Sequence, residues 1–438
     1  MELNNLDCFK LSTTKAAVTS FAGLPLLLGM ARSLGLEKGL NRVLSLVKKR
    51  DRGYRPAESA FTLMGIQQAG GTALDDVRLL AGDEGLRVLW GEMPAANTLG
   101  EFLRHFTGTL VYRLGALVLA TGIEVIRRLG FKSITVDIDA FMLESQKEGV
   151  LMNHEGLKGF EPVVCSCAEL RMPLAGLFRP GNASPMANLR GLLSRVIDAL
   201  KKTIPGLKIL VRSDSAGYQA GVIGECQRAS VDFTITVRKD PAVMETIRTV
   251  SSESWRSYAH AAYPGRQTEI AETVHAFGDK DVAAFRMIVI RWPKAQMNFF
   301  DIDQFDYHAI AVSREGTPAE LALQFHRNRQ DKSENMNKEL IGGFGLSKLP
   351  CQETLANAAY FQLAMLSHIV FVAFKELTLP EAWKTKTIET MRFEMIRLAG
   401  MVSRRARSLW LKVSANYPHL KVFEEARWGV IGAAAQTG

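Results

Sequence analysis

Apolar residues along this chain keep a helical period first, then a strand period, then a helical one again. Over 24–46, 57–67 and 99–129 they recur every three to four positions. That spacing predicts an N-terminal region, residues 1–130, made of packed amphipathic helices. Thr98-Leu99-Gly100-Glu101 has the form of a capping box, with Pro94 upstream, and sets a helix start at Thr98. From Ser133 the period becomes two. Strands are predicted at 133–139, 148–154, 161–168 and 171–178, then a helix at 185–203 with Pro185 in its first turn. A strand at 207–213, a helix at 217–229 and a strand at 231–238 follow. This order predicts an α/β layer around a mixed sheet, starting at residues 131–240.

Past residue 240 the alternation lapses. Strands at 282–290 and 307–313, with a weaker one at 273–277, make 241–312 a β-rich insertion rather than another βαβ unit. Helical spacing returns at 318–340, so residues 313–350 rejoin the α/β layer. The apolar helix 354–377 then opens a helical, basic C-terminal region, 351–438. Its segment 358–374 is uncharged but includes Gln362, Ser367 and His368, which fits a buried helix better than a membrane span. The other apolar stretch, 17–31, is too short to span and carries Pro25. No membrane association and a cytoplasmic location are expected.

The 438 residues are 47% hydrophobic and 23% charged, enough apolar side chains for two or three cores. A net charge of +9 permits a polyanionic partner without requiring one. The basic residues cluster. Lys38, Arg42, Lys48, Lys49, Arg50, Arg52 and Arg55 surround the lone acid Asp51, and Lys384, Lys386, Arg392, Arg397, Arg404, Arg405, Arg407 and Lys412 outnumber Glu389 and Glu394. Such runs are solvated faces or tracks for a phosphate backbone. The cysteines Cys8, Cys165, Cys167, Cys226 and Cys351 are scattered and odd in number, which predicts reduced core thiols rather than zinc ligands.

The candidate chemistry lies at strand ends. In Ile134-Thr135-Val136-Asp137-Ile138-Asp139-Ala140 alternation puts Thr135, Asp137 and Asp139 on one face. In Leu207 through Tyr218 an apolar strand runs straight into Ser213-Asp214-Ser215-Ala216-Gly217. Carboxylates launched from two strand ends suit a divalent-metal site for phosphoryl transfer. Asp137 and Asp139 are alternative first ligands. A third carboxylate is expected from Glu334, on a helix where Arg327, Gln330, Asp331, Glu334 and Lys338 form one polar stripe. Asp75, Asp76 and Asp83 read as capping and surface ion-pair residues, His154 and His368 as packed or surface histidines, and Trp255 and Trp292 as packing residues.

The order strand-Asp139, Arg179-Pro180-Gly181-Asn182, Ser213-Asp214-Ser215-Ala216-Gly217-Tyr218, then Glu334-Asn335 with Lys338-Glu339-Leu340, resembles the DDE transposases of bacterial insertion sequences. It is most similar to the family "thirteen-eighty" of the hairpin-type cut-and-paste superfamily. The resemblance implies a ribonuclease-H-like catalytic core interrupted by a β-rich insertion, with a helical DNA-end-binding domain before it and a helical basic region after it. Asp139, Asp214 and Glu334 would be both catalytic residues and ligands of Mg²⁺, with Mn²⁺ as substitute. The enzyme would cut double-stranded DNA at terminal inverted repeats and join the 3′ ends to target DNA, as a homodimer in a synaptic complex at the nucleoid. Arg327, Arg329, Lys338, Arg404, Arg405 and Arg407 are the candidate DNA contacts. The family's Tyr or His, Arg and Lys around the Glu fall here on Arg327, Gln330 and Ile341, although His326 and Arg329 keep the spacing of the first pair one position early. A metal-dependent nuclease of the same fold, or a DNA-binding protein with a decayed site, are the alternatives.

Overall fold

The structure is a computed structural model that describes residues 11–47, 53–153, 155–259, 265–294, 304–313 and 316–435. Cys8, Lys48, Lys49, Arg50, Asp51, Arg52 and His154, and the side chains of Gln330, Asp331 and Lys332, lie outside the described residues. After strand β1 (Ala17–Thr19), the N-terminal region is helical as its period requires. It comprises α1 (Leu24–Ser33), α2 (Leu36–Val43), α3 (Pro56–Ala69), α4 (Val77–Gly82), α5 (Glu84–Trp90), α6 (Ala96–Arg104) and α7 (Gly108–Leu129). The capping box expected at Thr98 does not form: α6 starts two residues earlier, from an extended Ala95 just past Pro94, and Thr98 falls in its first turn. The acids Asp76 and Asp83 instead cap locally, Asp76 accepting from the Thr72 and Ala73 N–H groups and Asp83 from Leu86.

The α/β layer contains β2 (Ser133–Ala140), β3 (Leu143–Glu144), β4 (Leu151–Met152), β5 (Lys158–Phe160), β6 (Val163–Cys167), β7 (Met172–Leu177), α8 (Leu189–Thr203), β8 (Lys208–Ser213), α9 (Ala220–Arg228) and β9 (Asp232–Thr236). Only two residues of the strand expected at 148–154 pair, as β4, in a small sheet ordered β3-β5-β4. Helix α8 begins at Leu189, not at Pro185, because Asn188 adopts a left-handed φ of 63° that interrupts the helix there. The stretch 241–312 supplies α10 (Pro241–Arg248), β10 (Arg256–Ser257), β11 (Glu269–His275), β12 (Phe285–Pro293) and β13 (Phe305–Val312).

These strands extend one nine-stranded sheet, β10-β11-β12-β13-β9-β8-β2-β6-β7. Strands β2, β8 and β9 run parallel and the others pair antiparallel. Within it β7, β6, β2, β8 and β9 lie side by side; counted without the small β3-β5-β4 sheet these are the third, second, first, fourth and fifth strands, which is the ribonuclease-H-like arrangement. The helix expected at 318–340 is two helices, α11 (Ala319–Arg327) and α12 (Arg329–Lys338), continued by a π-helical turn, Glu339–Gly343. The break has a physical cause. Arg212 Nη1 donates to the Phe325 carbonyl at 2.8 Å, the acceptor an unbroken helix would present to the Arg329 N–H.

The C-terminal region holds α13 (Thr354–Thr378), α14 (Glu381–Lys384), α15 (Ile388–Met391), the hairpin β14 (Gly400–Arg405) and β15 (Ser408–Lys412), and α16 (Leu420–Ala435). Helix α13 is buried along nearly all of its length and packs on α1, α3, α6, α7, α16 and β7. Among the described residues two helices, α7 and α13, are long and apolar enough to cross a membrane, but α13 is here the spine of the core. One continuous apolar core therefore joins the N-terminal helices, the sheet and the C-terminal region. Cys165, Cys167, Cys226 and Cys351 are free and buried, and burial pushes each thiol up.

His326 on α11 is buried against β9, its Nε2 2.9 Å from the Thr236 hydroxyl and its Nδ1 3.1 Å from that of Thr234. Burial pushes its pKa down to about 3, and the positive charges of Arg329 and Arg212 add to the effect. Folding thus holds His326 neutral, whereas the unfolded chain takes up a proton below about 6.5. Its contribution to stability is complete above that pH and falls as pH drops toward 3, by up to about 1.4 kcal/mol per unit. A His326→Gln variant is expected to lose less stability than the parent between pH 7 and 4 in urea denaturation.

Candidate active site

The parallel register of β2 and β8 builds the site. It pairs Asp137 with Arg212 and Ile138 with Ser213, so Asp139 and Asp214 follow side by side at the carboxyl ends of the two strands. Strand alternation puts Asp137, Asp139, Arg212 and Asp214 on one face. Ligands of open α/β sheets bind at such carboxyl ends. Asp137 and Arg212 are both buried and form a two-pronged ion pair, Nε to Oδ1 at 2.6 Å and Nη2 to Oδ2 at 2.7 Å. The guanidinium also lies 4.8 Å from the Phe325 ring centroid, and the Ser333 hydroxyl approaches Asp137 Oδ2 at 3.5 Å. Asp137 is thereby consumed by Arg212, which leaves Asp139 as the carboxylate at the strand end.

Asp139 is mostly buried. Its Oδ1 accepts from Arg329 Nη1 at 3.2 Å and its Oδ2 from Asn337 Nδ2 at 2.9 Å. Burial pushes its carboxyl up, Arg329 opposes the shift, and the charges of Asp214 and Asp137 reinforce it. Asp214 is half-buried at the start of a 3₁₀ turn, Ser215–Gly217, whose Ala216 N–H it accepts at 3.0 Å. That turn needs Gly217: a Cβ there would lie 2.5 Å from the Ser213 hydroxyl. The loop carrying Arg179 is pinned by that buried side chain, which donates to the carbonyls of Glu161, Ser184 and Ala187.

Helix α12 turns Arg329, Ser333 and Asn337 toward these aspartates. Glu334 lies about 60° further round the helix than Asn337. Its side chain is half exposed and pairs with Lys338 at 3.8 Å. No group of three or more His, Cys, Asp or Glu poised for a metal occurs among the described residues. The neighbouring pair Asp139 and Asp214 nevertheless fits a hard cation, since Mg²⁺ is held by one or two carboxylates and keeps its waters.

The candidate DNA contacts separate into two groups. Arg327 donates to the Tyr258 hydroxyl, Arg329 holds Asp139 and Lys338 faces solvent beside Glu334. Arg404, Arg405 and Arg407 are exposed at the tip of the β14–β15 hairpin, with no ion pair among the described residues. Of the remaining basic tail, Arg392 is buried on the carbonyls of Gln67, Gln68 and Gly343, and the exposed Arg397 donates to that of Ala69. Trp255 and Trp292 stack under Arg291 and Arg266 rather than standing free.

Residues 8–429 match the family described as Transposase DDE domain group 1. The chain belongs to this transposase family. The match runs through the N-terminal helices, the sheet and the C-terminal hairpin alike. No curated protein matches the chain. Among solved structures it is similar to a piggyBac transposase in a cryo-EM synaptic complex with hairpin DNA, at 11% identity, covering 87% of this chain and 82% of that one with a TM-score of 0.46. In this DDE transposase the strand-end pattern points to Asp139 and Asp214 but not to Arg212, Ser333 and Asn337, which contact Asp137 and Asp139. Arg212 was signalled by its place two residues before Asp214 on the same strand. Ser333 and Asn337 were signalled by their four-residue spacing after Arg329.

Removing one member of a buried ion pair leaves a bare charge and costs about 3–5 kcal/mol. Arg212→Met and Asp137→Leu should each destabilise the fold by that order. The double variant should lose much less than the sum, as equilibrium denaturation of all three would show.

Proposed function

We propose that this protein is the DNA transposase of a bacterial insertion sequence, similar to family "thirteen-eighty", that cuts at terminal inverted repeats and joins the 3′ ends to target DNA. The observation that carries this is the β2–β8 register that brings Asp139 beside Asp214 in a chain of transposase family. Asp139 and Asp214 hold the divalent ion, with Glu334 as a third carboxylate from the flank of α12. Mg²⁺, or Mn²⁺ in its place, supplies when bound the positive charge that activates the attacking oxygen and stabilises the leaving one. Arg329 holds Asp139 in place and brings a fixed positive charge beside the scissile phosphate. The Arg404, Arg405 and Arg407 tip follows the backbone of double-stranded DNA. Two ends must be cut together, so the working assembly is a homodimeric synaptic complex at the nucleoid. Glu334 facing solvent favours one second reading, a DNA-binding protein whose cleavage site has decayed.

Asp214→Asn tests the reading. Binding of inverted-repeat DNA should persist while Mg²⁺-dependent cleavage is lost. Undiminished cleavage by that variant removes Asp214 from the site, and a parent protein that binds but never cleaves favours the decayed form. Joining of a cut end to a second duplex separates a transposase from a nuclease. Replacing Arg404, Arg405 and Arg407 together by Ala should weaken DNA binding uniformly across sequences. The slope of log K against log salt should fall by about 2–3, read by fluorescence anisotropy at several salt concentrations.

A further inference from the structure

We propose that Asn337 is a metal-site residue whose side-chain Oδ1 supplies a further, uncharged oxygen ligand to the divalent cation of Asp139 and Asp214. The inference rests on the reading just given and adds to Asp139, Asp214 and Glu334 a neutral oxygen donor from the face of α12 that meets the strand ends. Asn337 is only 6% exposed. Its Nδ2 lies 2.9 Å from Asp139 Oδ2, and an ionised carboxylate can only accept, so the amide is fixed with nitrogen toward Asp139 and oxygen away. That oxygen is buried and has no hydrogen-bond partner among the described residues. A buried carbonyl left unpaired is destabilising, so an orphan beside Asp139 points to a ligand that completes it. Hard cations take amide oxygens as well as carboxylates.

The orientation of the helix supports the assignment. Met336 and Leu340 on α12 and its π-helical continuation are buried in the core, and Ser333 approaches Asp137, one turn before Asn337. The face of α12 that meets the strand ends is therefore the one bearing Ser333 and Asn337. Glu334 stands beyond it, paired with Lys338.

Mn²⁺ binding to the full chain without DNA, followed by electron paramagnetic resonance of the free ion, tests this. Asn337→Leu should weaken binding about tenfold or more. Asn337→Asp should bind Mn²⁺ at least as tightly as the parent, because the oxygen is restored as a carboxylate. The same variant should melt below the parent without metal, from repulsion against Asp139, and recover as Mn²⁺ is added. If Asn337 merely donates to Asp139, Asn337→Asp loses that donor and weakens binding as much as Asn337→Leu, which overturns the inference. Asp214→Asn keeps the two levels apart. Weaker Mn²⁺ binding in Asp214→Asn with unchanged affinity in Asn337→Leu overturns only the role of Asn337. Unchanged affinity in Asp214→Asn overturns the underlying metal site and the role of Asn337 with it.

Discussion

The Arg212–Asp137 ion pair is the constraint around which this catalytic layer is arranged. Two charges taken out of water are tolerated only when nearly every donor and acceptor is satisfied. Here the guanidinium reaches both Asp137 oxygens and the Phe325 carbonyl, while the Ser333 hydroxyl approaches Asp137 Oδ2. One pair thus ties β2, β8, α11 and α12 together. Because strands alternate, Asp139 and Asp214, each two residues on, leave the same face from adjacent strands. Neither can shift without disturbing a buried charge, which gives the site a rigid floor.

Helix α12 is held at its far end by a second buried polar group. Burial pushes Glu339 up, but its hydrogen bond to His368 Nε2 at 3.0 Å, the Ile388 N–H at 2.8 Å and the nearby Lys375 outweigh that and hold it at about 2. His368 sits within α13, the spine that also carries the N-terminal helices. The π-helical turn at Glu339–Gly343 lies between the site helix and that spine, with Arg392 donating to the Gly343 carbonyl. Such turns reset the phase of a helix. Here the turn lets α12 meet the strand ends while the following chain enters the apolar core.

Much of the fold was legible in the sequence because burial imposes periodicity. Strands β2, β6, β7, β8 and β9 and helix α13 fall within a few residues of where alternation or apolar run length placed them. What was not legible depended on single side chains acting at a distance. The late start of α8 follows from one left-handed Asn188, and the break at Asn328 follows from an arginine more than a hundred residues away. The site divides in the same way. Aspartates at strand ends are visible as pattern, whereas the facing of a polar helix is not. On α12 apolar residues are too few to fix its phase, so a stripe through Glu334 and Lys338 was as consistent with the sequence as one through Ser333 and Asn337.

Net charge is a poor guide to where a polyanion would lie, and the C-terminal region shows why. Lys384 and Lys386 are ion-paired, and Arg392 and Arg397 serve as hydrogen-bond donors to helix-end carbonyls, so half of the basic run is structural. The charge left over is concentrated at a hairpin whose two turn residues, Ala406 and Arg407, both adopt positive φ. That matches the two-residue turn that follows strand twist and projects its flanking residues outward. Strand β14 pairs with β1 near the start of the chain, which anchors the hairpin base to the helical N-terminal region. The exposed Trp410 lies on the same hairpin. Under the proposed function, arginines and an aromatic presented on an anchored two-stranded ribbon would supply the backbone-tracking element that an even spread of charge would not.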